Sequence, residues 1–461
     1  MPSRPSPRVI ALTLLGAALA ACTIYHREPL DDAGVEAMLA PPDPAAIERG
    51  ARLLGHPQLK PVPVDLAQPL TVDAVGIVSV LANPDLRALR EQQQVAAAQV
   101  FAAGLLPDPQ FSIGRDWVLN APDSTNSAAF AASLALDVLG PLATRSVDLH
   151  AARAGAESLR LDIAWAEWAT AGQARLLAVR LHYQERAAAL AKAAAETTER
   201  ALARALTAAA RRDLKADEIE IRRIAAADAR ARALVTERDA GTTRLEVNRM
   251  LGFPPAARLE LAPPPPLGDW RTPDPESLFA AARSERLDLR ALAAGYDKQE
   301  AVLHRAVLGQ YPRIVLTLNR ARDTSRVNTF GPAVSLDLPL WNRNRGAIRV
   351  AAADRRRLRV EYAARLHQTR ADIALLVAAL DRDERTRMAL AAQAPDLERI
   401  ARAYEDAARR TDVTAPAAEA ARLAATDRAL ALLAAEQACA EERIGLVLAV
   451  GRPLTDSELP P

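Results

Sequence analysis

The sequence predicts a mainly α protein with a smaller β part, membrane-spanning or soluble, built as one unit used twice. Each unit runs helix, β-hairpin, very long helix, turn and shorter helix. Three observations predict it. The first is an internal echo at a spacing of about 200 residues, too long for a solenoid repeat. Asp85-Leu86-Arg87-Ala88-Leu89 returns as Asp288-Leu289-Arg290-Ala291-Leu292, and Pro109 ahead of a strand returns as Pro312. Ser133-Leu134-Ala135-Leu136-Asp137 is answered by Ser335-Leu336-Asp337-Leu338, and Ala209-Ala210-Arg211-Arg212 by Ala407-Ala408-Arg409-Arg410. Met250-Leu251-Gly252-Phe253-Pro254 is answered by Ala449-Val450-Gly451-Arg452-Pro453. The second observation is composition: 50% hydrophobic but only 4% aromatic, with abundant alanine, as in long packed helices with small interfacial side chains. The third is a pair of long stretches almost free of Pro and Gly, each placed after a segment of alternating polarity. The net charge of +2 argues against a nucleic-acid partner. No apolar run beyond the N-terminus is long enough for a transmembrane helix, so any crossing would use strands.

Arg4 and Arg8 precede an apolar stretch from Val9 to Ala20, which reads as a secretory signal peptide over residues 1–21. Its end, Leu19-Ala20-Ala21-Cys22, resembles a bacterial lipobox. That resemblance implies a lipid on Cys22 and, with Thr23 following, the outer membrane as destination. The competing reading is an ordinary signal peptide with an incidental cysteine. Cys439 is the other cysteine, so the mature chain has no intrachain disulfide framework; in its Ala-rich stretch it reads as a small buried apolar residue. Residues 22–70, rich in Pro, Asp and Ala, read as an extended, irregular segment.

The first repeat spans residues 71–262. Thr71 caps a helix running to about Leu105, interrupted near Asn83-Pro84, and Pro107 and Pro109 stop it. Gln110 to Val118 then alternates, with Phe111, Ile113 and Trp117 on one side and Arg115 breaking the pattern. The return strand, closing a hairpin over about 109–138, sets Phe130, Ala132, Leu134, Leu136 and Val138 against Ala131, Ser133 and Asp137. A Pro-rich linker, residues 263–274, leads to the second repeat, residues 275–461. Its hairpin, about 312–340, repeats the alternation through Ile314, Leu316 and Leu318, then Val334, Leu336, Leu338 and Leu340. Such strands fit a membrane barrel, and a soluble hairpin packed on a helix uses the same alternation. Four strands cannot close a barrel around a lumen. Hairpins that span a membrane therefore need other subunits to close their edges.

The helix from about Leu142 to Arg212 would be a rod of roughly 100 Å. The helix from Arg343 to about Arg410 matches it, with a kink expected at Pro395. Each is followed by a shorter helix, Leu214 to Met250 and Val413 to Val450. Those lengths are made up by Thr71 to Leu105 and Pro275 to Leu308, so that two half-length helices stacked end to end match one long one. Gly252-Phe253-Pro254-Pro255 and Gly451-Arg452-Pro453 stop the shorter helices.

Gly331-Pro332-Ala333-Val334-Ser335-Leu336-Asp337-Leu338-Pro339-Leu340-Trp341-Asn342-Arg343-Asn344-Arg345-Gly346 resembles the second-repeat strand end and helix entry of the TolC-like outer-membrane factors of bacterial tripartite efflux systems. Asn248-Arg249-Met250-Leu251-Gly252 is similar to the helix-ending motif of that family's first repeat. The resemblance covers about Thr71 to Leu454. It implies a homotrimer with a twelve-stranded barrel in the outer-membrane lipid, four strands per chain, and a twelve-helix periplasmic tunnel. It also implies a periplasmic adaptor protein at the open end and an inner-membrane pump behind it. The motifs around Arg320, Asp323 and residues 342–346 look closer to the family's heavy-metal-cation branch than to its drug branch. One departure stands out. The periplasmic turns of the family commonly contain Gly, whereas here they read Arg211-Arg212-Asp213-Leu214 and Arg409-Arg410-Thr411-Asp412-Val413. Arg211, Arg212, Leu214, Arg409, Arg410 and Val413 are the expected adaptor-contacting tips.

Nothing in the sequence assembles a catalytic site. The six histidines are scattered without paired ligand spacing, and neither nucleophile elbows nor phosphate loops occur. The expectation is a passive exit duct, not an enzyme, with no cofactor and no resident metal. Asp213, Asp217, Asp406 and Asp412, near the turns, are candidates for a cation-favouring entrance ring, or else for local pairs with Arg211, Arg212, Arg409 and Arg410. Two alternatives remain open: a type I secretion or multidrug duct on the same scaffold, and a lipid-anchored coiled-coil structural protein with no pore.

Overall fold

A computed structural model describes residues 25–117, 119, 128–137, 139–211, 214–268 and 271–455. The candidate lipidation site, Cys22, lies outside them. The chain divides into two compact units, Met1–Pro41 and Pro42–Pro461. In the first, Asp31 accepts from the Gly34 amide at 2.8 Å and starts a short helix, α1 (Asp32–Leu39).

The second unit opens with α2 (Pro44–Arg52), capped by Asp43 with Pro at its first position. Residues 22–70 are therefore not extended throughout. Helices of eight or nine residues are too short for periodicity to register, and their aspartate caps were the only signal of them. Ile47, Ala51, Leu59, Val64 and Leu70 are buried, and Leu70 bridges in parallel to Leu261. Its N–H donates to the Glu260 carbonyl and its carbonyl accepts from Ala262 N–H, both at 2.8 Å.

The first repeat then forms α3 (Val72–Ala82), α4 (Pro84–Gly104), β1 (Gln110–Trp117), β2 (Ala128–Leu136), α5 (Leu139–Ala210) and α6 (Ala216–Met250). The second forms α7 (Pro275–Glu285), α8 (Leu287–Leu308), β3 (Arg313–Arg322), β4 (Asn328–Asp337), α9 (Arg345–Arg409) and α10 (Ala415–Val450). With 72 and 65 residues, α5 and α9 measure about 108 and 98 Å. Pro395 does not end α9, although it withdraws the N–H that Ala391 would accept.

The break between α7 and α8 was not legible as punctuation, because no Pro or Gly marks it. Both breaks do the same work. At the first, Asn83 Oδ1 accepts from the Asp85 and Leu86 amides while Nδ2 donates to the Met250 carbonyl at 3.0 Å. At the second, Arg286 Nη1 donates to the Ala449 carbonyl at 2.5 Å. Each shorter helix thus ends against the gap between the two helices that precede the hairpin of its own repeat. Gly252 (φ +68°) and Gly451 (φ +80°) make this approach possible. A Cβ on Gly252 would lie 2.6 Å from the Ala82 carbonyl oxygen, and one on Gly451 would lie 2.5 Å from Arg286 Cγ.

The core lies around these junctions. Residues of the 42–70 segment pack with Val75, Ile77 and Val78 of α3, Trp168, Leu177 and Leu181 of α5, and Val247 of α6. Around the second junction Leu278 of α7, Ile373, Val377 and Leu380 of α9 and Cys439, Leu446 and Val450 of α10 form its counterpart. The halves interlock, since α5 packs on α8 and α10 as well as on the helices of its own repeat. The four strands form one antiparallel sheet in the order β1-β2-β3-β4.

Candidate functional site

Cross-strand partners share a face, so the register sorts the sheet residue by residue. One face carries Phe111, Ile113, Trp117, Phe130, Leu134, Leu136, Ile314, Leu316, Leu318, Phe330, Val334 and Leu336. The other carries Gln110, Ser112, Asp116, Ser133, Arg313, Thr317, Asn319, Thr329, Ser335 and Asp337 between alanines, glycines and Val315. Among the described residues nothing covers the apolar face: Phe111 is 68% exposed, Trp117 66% and Phe330 75%. A soluble hairpin packed on a helix would bury these residues. Among the described residues β1 and β4 each pair on one side only, leaving two free edges.

The entry from β4 into α9 explains the sequence stretch that carries the family resemblance. Arg343 (φ +46°) and Asn344 (φ +51°) are left-handed and turn the chain back toward the helices. Asn344 Nδ2 donates to the Ala306 carbonyl at 2.6 Å and so closes the end of α8. On the polar face, Asp137 pairs with Arg313 across the two hairpins.

At the opposite end the two helical hairpins turn. Asp406 lies 3.5 Å from Arg409 and Asp412 lies 3.2 Å from Arg410, all four well exposed. Asp217 is exposed in the first turn of α6. Arg211 and Arg409 are exposed at their helix ends, while Leu214 and Val413 are half-buried. Arg212 and Asp213 lie outside the described residues. In the second turn Thr411 adopts φ +65°, and the Asp412 and Thr411 amides close the helix end on the Ala407 and Ala408 carbonyls at 2.9 and 3.2 Å. A β-branched residue thus takes the left-handed place in this turn. Just inside the turns, Arg222 ties the two hairpins together through Glu419 at 3.2 Å, while Arg230 to Glu199 and Arg422 to Glu398, both at 2.9 Å, each join the two helices of one hairpin.

Sequence reasoning missed the polar groups at the junctions. Arg286 pairs with Asp288 at 2.8 Å and lies 4.4 Å from the centroid of the Trp165 ring; Arg365 reaches the same carboxylate at 3.1 Å. Burial, reinforced by the Asp288 charge, raises the Asp162 pKa. Buried Glu384 is held by Arg387 at 2.7 Å and Arg443 at 2.8 Å. Beside it, burial and the neighbouring Asp383 push Glu442 up to about 7. Burial pushes the Cys439 thiol up to about 12, which leaves it an inert part of the core, as expected. The one available signal was Asp288, the residue that opens the clearest echo.

Among the described residues no three His, Cys, Asp or Glu side chains converge as a metal site, and no helix is long and apolar enough to cross a membrane.

No protein-family model matches the chain. No curated protein matches it either. Solved structures do. A CusC structure concerned with folding and transmembrane channel formation is 14% identical, with a TM-score of 0.67 over 86% of this chain and 96% of that one. The CmeC outer membrane channel of Campylobacter jejuni is 14% identical, with a TM-score of 0.70 over 82% and 85%. The outer-membrane channel OprN is 16% identical, with a TM-score of 0.67 over 94% and 99%. At these identities the likeness is one of architecture, and it agrees with the duplication, the hairpins and the helix lengths: the chain has the TolC-like fold of outer-membrane channels.

Proposed function

We propose that this protein is the outer-membrane exit duct of a tripartite efflux system. It works as a homotrimer, receiving substrate from an inner-membrane pump through a periplasmic adaptor. The observation that carries the proposal is the sheet: four strands, one uncovered apolar face, one polar face and two free edges, attached to helices of about 100 Å. Three such sheets, joined edge to edge, close a twelve-stranded barrel with its apolar face toward lipid and its polar face toward water. Nothing drives transport within the duct itself, which is passive. The tips around Arg211, Arg212, Leu214, Arg409, Arg410 and Val413 meet the adaptor, and Cys22 carries the lipid anchor.

Heavy-metal cations are the cargo that the motifs around Arg320, Asp323 and residues 342–346 favour, and they pass hydrated. Stoichiometric, tight zinc or copper binding in calorimetric titration would exclude hydrated passage. Asp213, Asp217, Asp406 and Asp412 bias the entrance toward cations. The pairs that Asp406 and Asp412 make are exposed and worth little, so their carboxylates stay available to passing ions. Replacing both by Asn should lower cation preference in planar-bilayer recordings, and unchanged reversal potentials would reject the ring. The same recordings test the duct: discrete ohmic steps are expected, larger once Arg222→Ala and Arg422→Ala loosen the tip. Protein that leaves the membrane as a soluble monomer when its lipid is removed would refute the proposal.

A further inference from the structure

The apolar face of the sheet has one polar feature, at its loop end. The register sets Arg115, Phe130, Arg322 and Asn328 in one row. Arg320 stands in the adjacent row toward the helices, with Ile113, Ala132 and Phe330. All three arginines are exposed. No carboxylate shares the face among the described strand residues, since Asp116 and Asp337 point to the other side. Asp323, the next residue after β3, is engaged in its own turn, accepting from the Val327 amide at 2.9 Å.

Strand geometry brings the three side chains together. Arg115 and Arg322 stand two strand spacings apart, about 10 Å, and Arg320 about 7 Å from Arg322 along β3. Aromatic rings interleave with them, and the Arg115 guanidinium lies 5.3 Å from the centroid of the Trp117 ring. A guanidinium that faces hydrocarbon is costly, and the cost fades only at headgroup depth. Aromatic side chains mark that same depth. Three cations clustered there with no acidic partner among the described residues match several anionic groups held close together, and guanidinium matches phosphate best through paired hydrogen bonds.

We propose that Arg115, Arg320 and Arg322 form an outward-facing anchor for the phosphates of lipopolysaccharide in the outer leaflet. The proposal rests on the outer-membrane reading, which puts the loop end of the sheet on the external side. A sugar headgroup bearing two phosphates fits a patch of this width, with the aromatic rings against the sugars. A phospholipid with one phosphate would engage only part of it.

The test uses full-length protein in a non-ionic detergent, stripped of lipid and titrated with three probes: bis-phosphorylated lipid A, lipid A lacking both phosphates, and phosphatidylglycerol. Bound lipid is counted by native mass spectrometry. Bis-phosphorylated lipid A should bind the native protein at least tenfold more tightly than it binds R115Q/R320Q/R322Q, whereas lipid A without phosphates should not distinguish the two. R115K/R320K/R322K, which keeps the charge but loses the paired hydrogen bonds, should fall between them. Equal binding of lipid A to the native protein and the Gln variant overturns the anchor. Phosphatidylglycerol binding as tightly as lipid A also overturns it, by showing general attraction of anions. If the triple variant fails to fold, R115Q and R320Q/R322Q carry the same comparison, each with a loss of about threefold expected. Conductance separates the two readings. Ohmic steps without lipid preference sink the anchor alone; neither steps nor lipid preference sinks the duct as well.

Discussion

Thr411 is a β-branched residue held at φ +65° in the turn between α9 and α10. The left-handed conformation costs an ordinary residue roughly 1–2 kcal/mol and glycine almost nothing. Thr411→Gly should therefore stabilise this turn by about 1 kcal/mol, seen as slower hydrogen exchange at the Asp412 amide. Faster exchange would mean that the threonine side chain contributes more than its backbone costs. Glu442 offers a second single-residue test. Its folded pKa, pushed up to about 7 by burial and by Asp383, lies above the carboxylate's usual value of 4.5. The neutral acid is favoured in the folded state, so its contribution is fully present below pH 4.5 and is lost as pH rises through 7. Glu442→Gln should remove that loss. It should raise the thermal midpoint at pH 8, by the equivalent of about 1–2 kcal/mol given its partial exposure, and change little at pH 4. Equal gains at both pH values would point to packing, not ionisation.

At the level of elements, the two helix junctions are one device built from different residues. Asn83 caps α4 and bonds the end of α6, so Asn83→Ala should cost about 1–2 kcal/mol. Arg286→Ala should cost more, about 2–4 kcal/mol, because it strips a partner from buried Asp288; Arg365 keeps the carboxylate from being left bare. Denaturant unfolding of the two variants would check the order. An Arg286→Ala loss no greater than that of Asn83→Ala would contradict the part assigned to the buried pair. The same residues show why one junction was legible and the other was not. Asn83-Pro84 is local chemistry, a cap followed by a residue that cannot continue a helix. Arg286, paired with neighbouring Asp288, is held at its break by partners far away in sequence, Ala449 and Trp165. The long helices and strands were readable because period and length are local properties. α1 and α2 were too short to show a period. The arginine patch was visible only as Arg115 spoiling an alternation, since its other members lie on β3 and are brought beside it through β2.

For the whole molecule, the proposed twelve-stranded barrel joins the β1 edge of each copy to the β4 edge of the next. Cysteines at Ser112 and Gly114 of β1, tried in turn against one at Ser335 of β4, should give disulfide-linked species that end at three chains. Cross-links that stop at two, or that extend beyond three, would contradict the closed ring. The tip charges would have escaped any reading of one turn alone: Arg222 and Glu419 come from different repeats and are neighbours only because the repeats interlock.

The uncovered face of the sheet also bears on the life of a newly made chain. Its helical part already buries apolar clusters within the single chain. If the proposed trimer forms, the hairpins find no shelter until two other copies arrive. Until then Phe111, Trp117 and Phe330 and two bare strand edges are offered to any passing chain, a setting for edge-to-edge aggregation. Biogenesis is then a race whose winning step depends steeply on concentration. Underproduction, and not only overproduction, would leave the protein at risk of clumping or of capture by holding chaperones.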